Sequence, residues 1–302
     1  MLAVTILGNN SALPAFDRHP TAQVVTLDDQ LFLVDCGEGT QMQMAKYRIR
    51  RSRINHIFIS HLHGDHYFGL IGLITSMGLL GREHDMHLHA PAPLQELIEM
   101  QLKVADTTLP FKLHFHALQE GLIANEDKFR VRCFKVSHRI PCWGFRFEQV
   151  RAPRRLLPAQ AIAAGIPAQF FDRLKWGEDY LSGNGLLVKN ETVTTAAPAA
   201  LSYAYSADTM YDENIIDKVA GVNLLYHETT YLKDLADRAI KRFHCTTEQA
   251  ATIALKARVG RLIIGHFSSK YEVLQEFENE AREVFSNSEL ALEGVTYRVL
   301  SS

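Results

Sequence analysis

Short apolar runs separated by polar or glycine-containing turns occupy the first third of the chain. The runs VTILG, AQVVTL, LFLVDCG and HIFISH each end in polar or glycine residues, a pattern typical of extended strands. Two amphipathic segments, one starting at Gly37 and one following Asp65, predict helices. DMHLHA then predicts a further strand, and APLQELIEMQLKVA a further helix.

The same alternation continues through the rest of the chain. Residues from KLHFHAL to GFRFEQV are mainly β in pattern, with regular alternation in FRVRCFKV. After residue 200, the runs LSYAYSAD, GVNLLYHET and RLIIGH predict strands. Thr246 begins a predicted helix, and EVLQEFENEAREVF predicts another. The pattern therefore predicts two β-rich halves with helices outside.

Residues 151 to about 200 interrupt this alternation. The segment mixes prolines and alanines and carries a basic RAPRR run. A long stretch without regular periodicity favours a surface excursion over a core element. We therefore expect a single domain over residues 1–302, with an inserted arm at about 151–200.

Composition narrows the functional classes. The 302 residues are 47% hydrophobic, enough for a large core, and their formal net charge of −2 means that a nucleic-acid partner would need a local basic patch. The chain lacks a signal-peptide pattern and a run of about 18 apolar residues, so we expect a cytoplasmic protein with no membrane partner. The cysteines are far apart, as is typical of a reducing compartment: Cys36, Cys133, Cys142 and Cys245.

The segment HLHGDH places four metal-binding side chains within six positions: His61, His63, Asp65 and His66. Imidazole nitrogens and carboxylate oxygens are the usual ligands of zinc and similar ions. One loop cannot complete two coordination shells, so further ligands are expected elsewhere. Polar residues that follow later apolar runs are the candidates: His138, Asp208, His227 and His266.

Not every histidine fits this interpretation. A single histidine after a strand is more often an ordinary loop residue than a ligand. Two further H-x-H pairs, His87 with His89 and His114 with His116, lie inside alternating strands without an acidic neighbour. We interpret each pair as one face of a strand.

The motifs together resemble a known family. HLHGDH and the preceding LFLVDCGEGTQ are similar to the signature of the metallo-β-lactamase superfamily. SHRIPCWGFRF, YSADT, HETTY, FHCTTEQAA and GHFSSKY follow in the order found in the ribonuclease Z family of tRNA 3′-processing endonucleases, in the bacterial short form. The resemblance covers nearly the whole chain. It implies an α/β fold, the metallo-β-lactamase αββα sandwich of two β-sheets flanked by helices.

The resemblance also implies a site that holds two Zn²⁺ ions per subunit. One ion would be bound by His61, His63 and His138, and the other by Asp65, His66 and His266. Both ions would be bridged by Asp208. His227 would be structural despite its position after a strand. Asp35 would be a buried structural acid that hydrogen-bonds near the metal-binding loop.

The implied chemistry is phosphodiester hydrolysis by a metal-activated water. Asp65 would orient or deprotonate that water, and His244, oriented by Glu228, would stabilise or protonate the leaving 3′-oxygen. In GHFSSKY, the residues Ser268, Ser269 and Lys270 would bind phosphate. Helix capping before YEVLQEF is an alternative role for the serines.

Several positions depart from the family pattern. Lys270 stands where arginine is usual, Cys245 replaces a serine, and the loop at residues 14–20 keeps Pro14 and Arg18 but lacks the usual lysine and asparagine. In the arm, AQFFD replaces a glycine–proline element that binds the tRNA elbow in relatives. Basic arm residues could still contact phosphates, or the arm could simply be solvated: Arg151, Arg154, Arg155, Arg173 and Lys175.

The function implied by the resemblance is a zinc-dependent endoribonuclease that removes 3′ trailers from precursor tRNA. A homodimer is expected, and in a two-fold dimer the arm of one subunit could present tRNA to the other's site. Two alternatives stay open. One is a hydrolase of the same fold acting on small phosphodiesters or esters, and the other is a zinc-stabilised binding protein with a vestigial site.

Overall fold

Two mixed β-sheets form the centre of the molecule. The computed structural model describes residues 1–150, 153–197 and 199–300. Within these residues the first sheet has seven strands, in the spatial order β18-β1-β2-β3-β4-β5-β6. Its strands are β1 (Leu2–Gly8), β2 (Ala22–Leu27), β3 (Gln30–Val34), β4 (Ile54–Phe58), β5 (Met86–Ala90), β6 (Leu113–Ala117) and β18 (Thr296–Arg298).

The second sheet also has seven strands in the described residues, in the order β17-β16-β15-β14-β9-β8-β7. Its central strands β14, β15 and β16 run parallel, whereas β7, β8 and β9 form an antiparallel meander. These strands are β7 (Gly121–Asn125), β8 (Phe129–Val136), β9 (Cys142–Gln149), β14 (Ser202–Ser206), β15 (Leu224–Glu228), β16 (Leu262–Gly265) and β17 (Ser288–Leu290).

Helices cover the outer faces of both sheets. On the first sheet these are α1 (Thr40–Lys46), α2 (Gly64–Tyr67), α3 (Leu70–Leu79) and α4 (Pro93–Val104). Beside the second sheet lie α8 (Ile216–Val219), α9 (Ala236–Arg242), α10 (Thr247–Lys256) and α11 (Gln275–Val284). Apolar side chains of the two inner faces, such as Phe58 and Phe145, pack together in one buried core. The predicted αββα sandwich is confirmed.

The arm has short elements of its own. Within residues 153–197 they are β10 (Arg155–Leu156), α5 (Pro158–Ala163), α6 (Phe171–Lys175), β11 (Tyr180–Leu181), β12 (Leu187–Val188), α7 (Asn190–Val193) and β13 (Thr194–Thr195). They pack around a small apolar cluster separate from the main core: Ala161, Ile166, Leu174 and Val193. Arg151 lies outside the described residues. The division into one domain and an inserted arm stays a prediction.

The helix predicted after Asp65 is interrupted. It divides into α2 and α3 around Phe68 and Gly69, because the Gly69 N–H donates to the carbonyl oxygen of Cys36 at 2.9 Å. A Cβ atom at position 69 would lie 2.2 Å from the carbonyl oxygen of Gly37. This backbone contact holds the HLHGDH loop against the segment that follows β3.

The two H-x-H pairs outside the metal motif form a stack of rings. His87 stacks on His114 with centroids 4.8 Å apart, and His89 stacks on His116 at 4.6 Å. His56 of β4 extends the stack at 4.8 Å from His87. The prediction that each pair occupies one face of a strand is confirmed.

The structure also shows the state of the cysteines and the character of the helices. All four cysteines are buried free thiols. Among the described residues, no helix has the length and apolar character needed to cross a membrane.

Replacement of Gly69 by alanine should destabilise the fold. The added methyl group would collide with backbone that cannot rotate away, so we expect a loss of about 1–3 kcal/mol in the free energy of unfolding, measured by urea denaturation. Gly72→Ala in α3 is the matched control, because its nearest neighbour would be 3.8 Å away. It should leave stability unchanged or raise it by up to about 1 kcal/mol. Equal effects of the two substitutions would contradict the close approach at position 69.

Candidate active site

The predicted ligand residues all follow the carboxyl ends of strands at one edge of the sandwich. The HLHGDH loop and α2 come after β4 and carry His61, His63, Asp65 and His66; His138 comes after β8, Asp208 after β14 and His266 after β16. Because parallel strands in both sheets end at this edge, residues distant in sequence meet there. The structure brings all seven residues together.

Three histidines and a carboxylate form the first cluster. The Nδ1 atom of His63 lies 3.0 Å from Nε2 of His61 and 3.1 Å from Nε2 of His138. The Oδ2 atom of Asp208 is 3.6 Å from Nε2 of His61. The four potential ligand atoms lie within 4.8 Å of one another, as binding to one ion requires.

A second cluster adjoins the first. The Nε2 atoms of His66 and His266 are 3.4 Å apart, and Oδ2 of Asp65 lies 3.6 and 3.4 Å from them. The other carboxylate oxygen of Asp208, Oδ1, is 3.4 Å from His66 and 3.3 Å from His266. Asp208 therefore faces both clusters, one with each oxygen.

Hydrogen bonds on the far side of the rings orient His61 and His138. In His138, Nδ1 donates to the carbonyl oxygen of Phe243 at 2.9 Å, which leaves Nε2 with a lone pair. The Ser60 hydroxyl gives its proton to Asp35 at 2.8 Å and so accepts from Nδ1 of His61 at 3.0 Å. In both rings the nitrogen that faces the cluster is the one able to bind a metal ion.

The second cluster is supported in the same way. Nδ1 of His66 donates to Asp35 at 2.8 Å. The Thr230 hydroxyl donates to Glu228 at 2.8 Å and accepts from Nδ1 of His266 at 2.9 Å. Outer partners of this kind hold metal-binding imidazoles in one tautomer and orientation.

The charge states of His61, His63 and Asp208 suit a divalent cation. Burial lowers the pKa of His61 well below its usual range and that of His63 to about 4, so both rings are neutral, as ligands must be. Burial alone would raise the pKa of the Asp208 carboxyl, but His266 and His66 hold it well below its usual range. Among the described residues, Oδ1 of Asp208 is buried and accepts no hydrogen bond. A cation would satisfy this atom.

The two residues expected to be structural lie outside both clusters. Asp35 is fully buried and accepts hydrogen bonds from Ser60, His66 and Tyr205, as the resemblance implied. His227 is also buried, and its Nδ1 bonds the carbonyl oxygen of Glu228 at 2.8 Å. It belongs to no ligand group found in the described part of the chain.

Glu228 and His244 form a buried pair beside the clusters. Oε1 of Glu228 accepts from Nδ1 of His244 at 2.9 Å and from the Cys245 amide at 3.0 Å. Burial opposes a charge on His244, but the Glu228 carboxylate outweighs it and raises the pKa of His244 to about 9. His244 is therefore protonated at neutral pH and sits 5.4 Å, ring to ring, from both His138 and His266.

Curated proteins are similar to this chain over nearly its whole length. The chain is 42% identical over 293 residues to a Ribonuclease Z of Bacteroides thetaiotaomicron, covering 96% of this chain and 93% of the relative. It is 38% identical over 286 residues to a Ribonuclease Z of Porphyromonas gingivalis, with 94% of each chain covered. The chain belongs to the ribonuclease Z family.

Two solved structures share the fold. Human tRNase Z, short form (ELAC1), superposes with a TM-score of 0.72 at 24% identity, covering 99% of this chain and all of that one. The metallo-β-lactamase fold protein YhfI from Bacillus subtilis gives a TM-score of 0.69 at 18% identity, with the same coverage. A family model described as anti-Pycsar protein Apyc1 matches residues 2–151. That match includes the HLHGDH loop and His138 but ends before Asp208, Glu228 and His266.

An open cleft leads to the clusters of this ribonuclease Z family member. Its volume is about 590 Å³, and its walls include His63, Asp65, His138, Asp208 and His244. That volume is within the range of about 300–1,000 Å³ typical of ligand sites. The residues predicted to bind phosphate, Ser268, Ser269 and Lys270, are not among those that line the cleft.

The alternative role of the serines as a helix cap is wrong. The helix α11 begins at Gln275, with Leu274 at the preceding position and no side-chain cap. Instead, the Ser268 hydroxyl accepts from the Lys270 amide at 3.3 Å, inside a turn that precedes the helix. The turn separates the serines from the free N–H groups of the helix.

Sequence reasoning missed several residues that shape the site. Ser60, Tyr205 and Thr230 carry the outer hydrogen bonds, and the Ala12 amide donates to Oδ2 of Asp65 at 2.7 Å. Ser60 could have been suspected, because it lies between β4 and the HLHGDH loop. The Ala12 contact spans 53 positions and involves only backbone on one side, so no sequence pattern could have indicated it.

The two clusters predict the metal content of variants. We expect the purified protein to bind two divalent ions, His266→Ala to lose one, and Asp208→Ala to weaken both, because Asp208 faces both clusters. Metal per chain is measured by mass spectrometry after zinc loading and dialysis. His116→Gln is the control, since that exposed ring belongs to the other histidine stack. Unaltered zinc content in Asp208→Ala would contradict the shared position of this carboxylate.

Proposed function

We propose that this protein is a zinc-dependent endoribonuclease that removes 3′ trailers from precursor tRNA. The observation that carries the proposal is the identity of 38–42% to proteins named Ribonuclease Z, over nearly the whole chain. Because the match covers 96% of this chain, it spans both halves of the candidate site. The chemistry is hydrolysis of the phosphodiester that joins the mature tRNA to its trailer.

The ligand chemistry supports two zinc ions. Histidine nitrogens and aspartate oxygens dominate both clusters, a donor set suited to zinc. Bound there, the ions would supply a nucleophilic hydroxide at neutral pH and neutralise charge on the phosphate. The proposed ligands are those of the sequence analysis, namely His61, His63, His138, Asp65, His66, His266 and Asp208.

Asp65 is proposed to orient the attacking water. Burial alone would raise the pKa of the Asp65 carboxyl, but His66 and the hydrogen bond to His266 lower it well below its usual range. A carboxylate with such a low pKa is a weak base. It is therefore better suited to accept a hydrogen bond from the water than to remove the proton of the water. The Ala12 amide, 2.7 Å from Oδ2, fixes its direction.

His244 is proposed as the group that protonates the leaving 3′-oxygen. Its Nδ1 is held by Glu228, so Nε2 carries the transferable proton. The raised pKa, about 9, keeps that proton in place at neutral pH. General acid catalysis of this kind contributes typically about 10²–10⁴-fold.

Several basic side chains of the arm, which could contact RNA away from the reacting phosphodiester, bind other arm residues instead. In the arm, Arg173 is paired with Glu178, and Lys175 lies 2.8 Å from Asp172, so part of the predicted basic charge is neutralised internally. Arg154 donates to Thr194 at 2.8 Å. We keep the arm as a proposed RNA contact, together with Ser268, Ser269 and Lys270. A cytoplasmic homodimer is likewise proposed from the family resemblance.

Cleavage of RNA tests the proposal directly. The zinc-loaded protein should cut a 3′-extended tRNA precursor after the discriminator nucleotide, and EDTA should abolish the cut until zinc is restored. Products are mapped on sequencing gels, with bis(p-nitrophenyl) phosphate as a second substrate. Hydrolysis of the small ester alone would support the alternative small-molecule hydrolase. No turnover of either substrate with zinc bound would support a binding protein.

The pair of Glu228 and His244 predicts a change in the pH profile. His244 must be protonated to act, so the rate should fall as the pH rises through its pKa. Glu228→Gln removes the negative charge that raises this pKa, so the alkaline limb of kcat against pH should move to lower pH. The amide oxygen can still accept from His244 and Cys245, whereas the amide nitrogen cannot accept from Thr230 as Oε2 does. An alkaline limb that stays in place would exclude His244 as the proton donor of the rate-limiting step.

A further inference from the structure

Three basic side chains on the walls of the cleft have no acidic partner. Arg139, Lys241 and Arg242 line the cleft, are exposed, and form no ion pair with any described residue. Some exposed cations elsewhere on the surface are paired with a carboxylate, as Lys256 is with Glu213. The unpaired cations therefore leave positive charge directed at the space above the clusters.

Arg139 is placed next to the metal-binding residues. Its Nη2 atom lies 3.0 Å from Nε2 of His63, whose Nδ1 faces His61 and His138. One imidazole ring therefore separates the guanidinium from the first cluster. The preceding residue, His138, donates a hydrogen bond to the carbonyl oxygen of Phe243, and this bond helps to fix the position of the segment.

In this structure Nη2 of Arg139 donates to Nε2 of His63 at 3.0 Å. An arginine side chain only donates hydrogen bonds. A histidine that coordinates through Nδ1 carries its proton on Nε2, so it offers no lone pair there. Binding of a metal ion to Nδ1 of His63 would therefore remove the acceptor that Arg139 has in this structure and free its guanidinium to donate to another one. Its planar fork matches the oxygens of a phosphate, and it cannot lose its charge.

We propose that Arg139 binds a backbone phosphate of the RNA next to the scissile one and so sets the register of the substrate over the clusters. The inference rests on the proposed function and adds a substrate-binding residue to it. Lys241 and Arg242, at the end of α9, add positive potential on the same cleft. Arg139 is the one whose guanidinium touches a residue of the proposed ligand set.

The salt dependence of RNA binding tests this assignment. Affinity for a 3′-extended tRNA precursor is measured by fluorescence anisotropy, using zinc-loaded protein that also carries Asp65→Asn so that the RNA stays intact. Arg139→Gln should weaken binding about tenfold. It should also reduce the slope of log Kd against log salt concentration by about 0.7–0.9, the loss of one phosphate contact. Arg139→Lys should retain the slope and recover part of the affinity.

The control is Arg298→Gln, which removes an exposed arginine that does not line the cleft. Neither its affinity nor its slope should change. An unchanged slope in Arg139→Gln, or an equal loss in Arg298→Gln, would overturn the assignment. If the unsubstituted protein neither binds nor cleaves the precursor, the proposed function itself fails. If the unsubstituted protein cleaves the precursor and Arg139→Gln leaves affinity and salt slope unchanged, only the role of Arg139 is rejected.

Discussion

The buried carboxylate of Asp35 is the interaction on which the site depends. It accepts from the Ser60 amide at 2.7 Å, the Ser60 hydroxyl at 2.8 Å, His66 at 2.8 Å and Tyr205 at 2.6 Å. Tyr205 belongs to the second sheet and the others follow the first, so one side chain joins both sheets to the HLHGDH loop. Each hydrogen bond to a charged group contributes about 1.5–3 kcal/mol, which offsets the cost of burying a carboxylate. The orientations of His61 and His66 both follow from this arrangement.

Glu228 has the corresponding role in the second sheet. It lies at the end of β15, fully buried, and organises His244 directly and His266 through Thr230. Backbone strain occurs at the same places: Asp35, Phe243 and His266 have φ values of 57°, 59° and 61°. Non-glycine residues adopt this left-handed region rarely and at a cost of about 1–3 kcal/mol. The hydrogen bonds around the two carboxylates hold these strained residues in place.

The parts of this site that could be predicted from the sequence are those with a local pattern. AQVVTL coincides with β2, and HLHGDH indicates metal ligands because four of them lie within one loop. The role of Glu228 and His244 came only from the family resemblance, since they lie 16 positions apart and no periodicity links them. The sequence pattern predicts a continuous helix after Asp65. Its break at Gly69 is caused by a contact with Cys36, which is distant in sequence, so no local pattern indicates it. Tautomers likewise depend on partners that only the fold brings close.

Charge of opposite sign is largely separated by depth in the cleft. The carboxylates of Asp65 and Asp208 lie against the clusters, whereas Arg139, Lys241 and Arg242 are exposed on the walls together with one carboxylate, that of Glu38. Two like charges about 4 Å apart repel by roughly 4 kcal/mol near a protein surface, so Asp65 and Asp208 alone would exclude a phosphate. Cations held there, as proposed, would remove that barrier, because they would neutralise the charge where a phosphate would sit. The wall cations would act on flanking phosphates from solvent and be screened by salt. Under the proposed function, binding along the RNA and access to the reacting centre would therefore depend on different residues of one cleft.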